Sequence, residues 1–194
     1  MKTPRPSRWL PLLIAVAGCN LFEPRPAEDP TVPGGQYPPA TDATTVISNF
    51  RKSIEERSVQ NYVLCFADPL AGRPFTFFPS SDGAAQYGSV FSAWSTTDEQ
   101  DYFQNISART TPTSASSLVL TERSRITSGD SVVVDADYIL TFEHTDPSLS
   151  KIARGSMQIA FGHNNSNIWS IYRWADFKTT ADITWSVMKG KFSN

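Results

Sequence analysis

Four long stretches in the second half of the chain restrict its fold more than any other feature of the sequence. They cover residues 118–126, 131–144, 151–163 and 168–176. In the second stretch apolar and polar residues alternate, so that Val134 and Phe142 share one face while Asp135, Asp137 and Glu143 share the other. Successive side chains of a β-strand point to opposite faces, so this pattern predicts strands with one buried and one solvated face.

The segments between these stretches have the composition of turns. They are Ser-Gly-Asp at 128–130, Asp-Pro-Ser at 146–148 and an Asn-rich run at 164–167. Such residues adopt turn conformations at little cost, and short turns join neighbouring antiparallel strands. The second half of the chain therefore predicts a curved, four-stranded antiparallel meander.

The first half of the domain has helical rather than strand periodicity. Apolar residues recur at three- and four-residue steps over residues 43–57, and a shorter helix is predicted at 58–68, where Pro69 stops it. A short aromatic strand is predicted at 75–78. A capping box starting at Thr97 then opens a third helix. We expect an α+β domain in which three N-terminal helices pack on one face of the meander.

The N-terminal 18 residues have the organisation of a secretory signal. Residues 1–8 are basic, residues 9–18 are apolar, and Cys19 follows. Ten helical residues rise only about 15 Å, half the thickness of a hydrocarbon core, so this segment is too short to span a bilayer. The sequence predicts a signal peptide at 1–18.

The run Val16-Ala17-Gly18-Cys19 resembles the lipobox of bacterial lipoproteins. That resemblance implies cleavage before Cys19 and two or three acyl chains, such as palmitate, on the new N-terminus. More than one long chain anchors a protein stably to a membrane. Asn20, in place of an aspartate, favours the outer membrane, with the domain on the periplasmic side. We expect a lipid-anchored protein of the cell envelope.

Residues 19–41 form the predicted link between the lipidated cysteine and the domain. They contain six prolines and the pair Gly34-Gly35, with almost no apolar periodicity. Proline-rich chain is extended and semi-rigid, so this segment is predicted to be a tether. The domain then occupies residues 42–194.

Charge and cysteine usage narrow the choice of ligands. The formal net charge is −2, and no run of basic residues follows Arg8, which argues against a nucleic-acid partner. The two cysteines and two histidines are too far apart to form a metal motif, and no cofactor is expected. Cys65 lies in an apolar run, so we expect a buried thiol that does not pair with Cys19.

The order of the predicted elements resembles the nuclear transport factor 2-like (cystatin-like) fold, which ketosteroid isomerase and scytalone dehydratase share. The run at 168–176 is similar to the last strand of such domains, and the tail at 184–190 resembles an ending found in small lipoproteins of this kind. The resemblance implies a cone-shaped pocket between the helices and the concave sheet face. That pocket is an active site in the enzymes and a binding site or a filled cavity elsewhere, so the fold alone implies no activity.

No residue is expected to be catalytic. The carboxylates of the second long strand belong to its solvated face, and His163 borders a turn. The alternative is a lyase or isomerase of small apolar substrates, with His144 as the base and Tyr62 or Tyr138 as the hydrogen-bond donor. His144 stands at a strand end, where a place at the rim is expected.

Our main prediction is a non-catalytic domain that binds a small ligand or a partner protein of the envelope. A cone filled by aromatic side chains would favour this function over an enzyme. The side chains concerned are Phe50, Phe66, Phe103 and Phe142. A further hypothesis is a homodimer through the outer face of the sheet, with Trp169 and Ile171 as anchors.

Overall fold

The computed structural model describes residues 37–68, 73–111 and 113–193. The chain divides into two units, Met1–Pro33 and Gly34–Asn194, and the described residues belong to the second. The predicted signal peptide, the lipobox with Cys19 and most of the predicted tether lie outside the described residues. Where the structure describes the chain, no helix is both long and apolar enough to cross a membrane.

Within the described residues, the chain forms five α-helices and one short 3-10 helix. They are α1 (Ala43–Glu55), α2 (Val59–Val63), α3 (Ser81–Tyr87), the 3-10 helix (Val90–Ala93), α4 (Thr96–Ala108) and α5 (Trp185–Phe192). Polar N-caps begin most of them. In α1, for example, the Asp42 carboxylate accepts a hydrogen bond of 2.8 Å from the Thr45 amide, which satisfies one of the free donors of the first turn.

Over the same described ranges, five strands form one mixed sheet. They are β1 (Thr76–Phe78), β2 (Ser116–Ser128), β3 (Ser131–Phe142), β4 (Ile152–His163) and β5 (Trp169–Phe177). Their order is β1-β5-β4-β3-β2. The strands β2 to β5 pair antiparallel and form the predicted meander, whereas β1 adds to β5 in parallel.

The prediction of three helices on a four-stranded antiparallel sheet was therefore incomplete. The aromatic strand at 75–78 was predicted, but local sequence does not show that it joins the sheet. Helix α3 contains little apolar periodicity. Helix α5 is buried on nearly every side, since Trp185, Val187, Met188 and Phe192 all lie in the core. A helix buried all round has no amphipathic pattern.

Helix α4 begins two residues earlier than the predicted capping box. The Asp98 carboxylate accepts from both the backbone nitrogen and the hydroxyl of Ser95, at 2.8 and 2.6 Å. The box therefore runs from Ser95 to Asp98 and not from Thr97. The inward face of the helix, with Tyr102, Phe103 and Ile106 buried, is as predicted.

The core lies between the helices and the concave face of the sheet. The four phenylalanines expected to fill the cone are buried there: Phe50, Phe66, Phe103 and Phe142. Trp174 lies among the rings of Phe50, Phe66, Phe77 and Trp185, with ring centroids 4.6 to 6.4 Å apart. Aromatic rings thus occupy the space where a pocket was considered.

A β-bulge in β5 changes which side chains face the core. Ala160 pairs with Arg173, and the next residue of β4 pairs with Ile171, so Tyr172 is the extra residue. Ile171 and Trp174 consequently both point inward, and Ile171 is buried. Trp169 is half-buried and packs against the core. The prediction of Ile171 as a dimer anchor on the outer face was wrong, while the homodimer itself stays a prediction.

The last residues of the predicted tether lie against the domain. The Tyr37 hydroxyl donates to the Glu56 carboxylate at 2.8 Å, and the Asn49 side-chain amide donates to the Pro38 carbonyl at 2.9 Å. The Trp169 amide donates to the Ala40 carbonyl at 2.7 Å. The first described residues are therefore held by both α1 and β5.

Candidate functional site

A buried carboxylate on α4 binds polar side chains from three other parts of the domain. Glu99 has no exposed surface, since it shares the inward face of α4 with Tyr102, Phe103 and Ile106. Three donors from other parts of the chain reach its carboxylate. They are the Tyr62 hydroxyl at 2.8 Å, the Trp94 indole nitrogen at 2.7 Å and the Lys189 ammonium.

Lys189 brings its charge into the core on α5. Its side chain is fully buried and its nitrogen pairs with Glu99. The nitrogen also lies 3.8 Å from the ring centroid of Trp174 and 4.2 Å from that of Phe77. Burial lowers the pKa of Lys189 below its usual value, while the Glu99 carboxylate acts in the opposite direction.

A second buried carboxylate, that of Asp176, ties α5 to the sheet. It accepts from the Tyr138 hydroxyl at 2.8 Å and from the Ser186 amide and hydroxyl at 2.8 and 2.6 Å. The Trp185 amide donates in turn to the Tyr138 oxygen at 2.8 Å. Burial raises the pKa of Asp176 above its usual value, while these hydrogen bonds act in the opposite direction.

The partners of both buried carboxylates, Glu99 and Asp176, come from the domain itself. They are side chains or backbone groups, and α5 fills the position facing the two carboxylates. Burial raises the pKa of Tyr62 and of Tyr138, so both hydroxyls keep their protons at neutral pH. Among the residues with described positions, no three His, Cys, Asp or Glu side chains are grouped closely enough to hold a metal.

The structure gives the alternative catalytic residues separate partners. Tyr62 donates to Glu99, and Tyr138 donates to Asp176. His144 is buried rather than at the rim, with Nε2 3.2 Å from the Ser150 carbonyl and its ring 5.1 Å from that of Phe192. Each side chain therefore has a local structural partner.

The carboxylates assigned to the solvated face of β3 are on that face. Asp137 pairs with Arg123 at 3.5 Å and Glu143 with Lys151 at 2.8 Å. Asp135 accepts from Ser124 and Gln158. This prediction is confirmed.

Glu99 and Lys189 were missed, although both carry a sequence signal. Glu99 precedes Tyr102, Phe103 and Ile106 by three, four and seven residues, which places it on their face. Lys189 follows Trp185 by four residues and precedes Phe192 by three. A charged residue at an inward position on each of two helices predicts an ion pair only when their contact is known.

A second candidate site is an apolar surface around α2, which we call the Leu64 surface. Leu64 is 68% exposed and Ile168 is 41% exposed. Three adjoining depressions of about 210, 420 and 390 Å³ all share Leu64. Their lining includes Tyr37, Asn49, Val59, Gln60, Asn61, Val63, Leu64, Cys65, Asp68, Asn164 and Ile168.

Cys65 contributes to this surface only marginally. It is 4% exposed, and burial raises the pKa of its thiol to about 12. Its sulfur lies 3.3 Å from the Asn61 carbonyl. The prediction of a buried thiol that behaves as a small apolar residue is confirmed.

Comparison with known proteins identifies the fold. No protein-family model and no curated protein matches the sequence. A nuclear transport factor 2-like superfamily protein from Salmonella enterica has 14% identity and a TM-score of 0.51, with 71% of this chain and 91% of that chain covered. This chain therefore has the nuclear transport factor 2-like α+β fold, which confirms the fold-level resemblance.

Two further solved structures show how varied the proteins of this shape are. A proposed aromatic ring hydroxylase from Novosphingobium aromaticivorans has 11% identity and a TM-score of 0.51, covering 71% of this chain and 86% of that chain. A proposed calcium/calmodulin-dependent protein kinase type II association domain from Thiobacillus denitrificans has 9% identity and the same TM-score, covering 74% and 99%. At these identities the likeness concerns the fold alone.

Proposed function

We propose that this protein is a non-catalytic binding domain that a lipid anchor at Cys19 holds on the cell envelope, on the periplasmic side of the outer membrane. The observation that carries the proposal is the filled interior. Glu99 and Lys189 have no exposed surface, and α5 places Trp185, Met188 and Phe192 where a ligand would enter the cone. Small-molecule sites are concave and accessible, and this interior is neither.

A lyase or isomerase in the same cone would need several groups to change partners. Tyr62 would have to release Glu99, and Tyr138 would have to release both Asp176 and the Trp185 amide. His144 would have to release the Ser150 carbonyl and leave its place against Phe192. Each release leaves a buried polar group unpaired, which costs about 1–3 kcal/mol. A binding function requires none of these changes.

The Leu64 surface is the part of the exterior that best fits a partner protein. Its lining is apolar with amide side chains, and Asp68 is the charged residue among the residues that line it. A mainly apolar surface with one carboxylate favours an apolar, uncharged segment of another protein over a charged one. We therefore propose an apolar segment of a second envelope protein as its occupant.

The short length of chain between Cys19 and the Leu64 surface supports a partner close to the membrane. Tyr37, the first described residue, lines the Leu64 surface. The 17 residues from 20 to 36 separate it from Cys19. At about 3.1 Å per residue for proline-rich chain, they limit its distance from the lipidated cysteine to about 50 Å. A partner anchored in the same membrane is within that distance.

The anchor is tested on the full chain purified from membranes of a bacterial host. Mass spectrometry should find the N-terminus at Cys19 with a diacylglyceryl group and an amide-linked acyl chain. An unmodified thiol at Cys19, or a retained residue 18, would contradict the proposed anchoring.

The binding surface is tested by site-specific photocrosslinking in the same membranes. A photoreactive side chain at Gln60, which lines the Leu64 surface, should give one discrete crosslinked product. Leu64→Glu should abolish that product. Ile126→Glu is the matched control, because Ile126 is 61% exposed but lies near the far end of β2. A product that survives Leu64→Glu would contradict this surface.

A further inference from the structure

We propose that the interior of the domain is a recognition site for a primary ammonium group, and that Lys189 of helix α5 fills this site in cis. Around the Lys189 nitrogen lie the Glu99 carboxylate, the ring of Trp174 at 3.8 Å and the ring of Phe77 at 4.2 Å. The rings of Trp94 and Tyr102 follow at 5.6 and 5.7 Å. The cation therefore meets one carboxylate and several ring faces.

These are the groups that recognise organic cations. The face of an aromatic ring attracts a cation within about 6 Å of its centroid, and a carboxylate supplies the countercharge and accepts an N–H bond. A primary ammonium fits better than a quaternary one, because the nitrogen donates directly to Glu99. Glu99 is oriented for this by Tyr62 and Trp94, which hold it from two other parts of the chain.

Helix α5 supplies the cation, whereas other elements form the site. Glu99 lies on α4, Phe77 on β1 and Trp174 on β5. Tyr62 lies on α2. The site is therefore formed by other helices and strands of the domain. Lys189 occupies the position that the ammonium group of a bound amine would take.

Independent contacts hold α5 in place. Ser186 donates twice to Asp176, and the Asn105 side-chain amide donates to the Phe192 carbonyl at 3.1 Å. Gly190 lies so close to Tyr87 that no side chain fits between them. Truncating Lys189 should therefore leave the helix docked and create a closed gap. The atoms of lysine beyond Cβ are those of a propylammonium ion, so propylammonium is the matching ligand.

The test uses the full chain with Lys189→Ala and propylammonium chloride. We expect the amine to bind the variant and to raise its Tm by about 4 °C at tenfold excess over the Kd. The wild-type protein should show no shift, because Lys189 occupies the site. 1-Propanol, which has the same shape without the charge, should raise the Tm of the variant by less than half as much.

A second variant assigns the effect to Glu99. In Glu99→Gln with Lys189→Ala, the affinity for propylammonium should fall at least tenfold. Equal stabilisation by 1-propanol, or an unchanged affinity without the Glu99 charge, would overturn the proposal. If Lys189→Ala does not fold alone, its refolding yield with propylammonium replaces the Tm shift. A yield that rises with the amine but not with 1-propanol supports the site, and no rise overturns it.

This inference starts from the same filled interior as the proposed function, but its test is separate. Amine binding reports on the groups around Lys189, whereas the proposed function is tested at the lipid anchor and the Leu64 surface. Photocrosslinking at Gln60 and amine binding to Lys189→Ala therefore succeed or fail separately.

Discussion

Replacing Lys189 by methionine should cost the domain much more stability than replacing the whole ion pair. Methionine keeps most of the lysine stem, so the packing against Trp174 and Phe77 is largely retained. The variant leaves the Glu99 carboxylate without its countercharge at a position with no exposed surface. Removing one partner of a buried ion pair costs about 3–5 kcal/mol, and that is the loss we expect for Lys189→Met at pH 7.

The double variant, Lys189→Met with Glu99→Gln, removes both charges together. The glutamine oxygen can still accept from Tyr62 or Trp94, so part of the hydrogen bonding around residue 99 is kept. Apolar or neutral replacement of a complete buried pair is often close to neutral. We expect the double variant to lose no more than about 1.5 kcal/mol, which is the net value of one ordinary hydrogen bond.

The assay is equilibrium unfolding in urea, followed by circular dichroism and by tryptophan fluorescence. Coincident transitions by the two probes would justify a two-state treatment. The decisive quantity is the difference between the single and the double variant. If both lose the same free energy of unfolding, the carboxylate is not stranded by Lys189→Met, and the account of the buried pair is refuted.

Two further predictions concern single groups. Gly190→Ala should destabilise the domain by about 1–3 kcal/mol, since a methyl group there overlaps the Tyr87 ring and forces α5 away from α3. Urea unfolding measures this loss of unfolding free energy. Burial raises the pKa of Cys65 to about 12, so its thiol should resist a thiol reagent at pH 8 in the folded protein and react fully in urea. Fast labelling of the folded protein would contradict the burial of Cys65.

Much of the sheet follows from local sequence because alternation is a local property. The strand β3 was predicted from Ser131 to His144 and extends from Ser131 to Phe142. Its inward set and the solvated positions of Asp135 and Asp137 follow directly from the two-residue period. Likewise α1 begins and ends close to its predicted bounds, since its apolar residues repeat every three or four positions.

The candidate site was predicted much less well than the fold. His144, Tyr62 and Tyr138 were named for an enzyme, and they have structural partners. The groups that meet inside the domain, Glu99 and Lys189, are 90 positions apart along the chain. Each charge alone is compatible with a solvated helix face, so neither identifies a buried pair.

The sequence by itself determined the elements whose patterns are complete within a few residues: the meander, helices α1 and α4, and the turn segments. Only the tertiary structure decided that β1 joins β5, that the bulge at Tyr172 turns Ile171 inward, and that α5 fills the cone. The physical reason is that propensity and periodicity act between near neighbours, whereas burial depends on which distant segment covers a surface. Lys189 of the buried helix α5 and the inward-facing Glu99 pair only after the chain has folded.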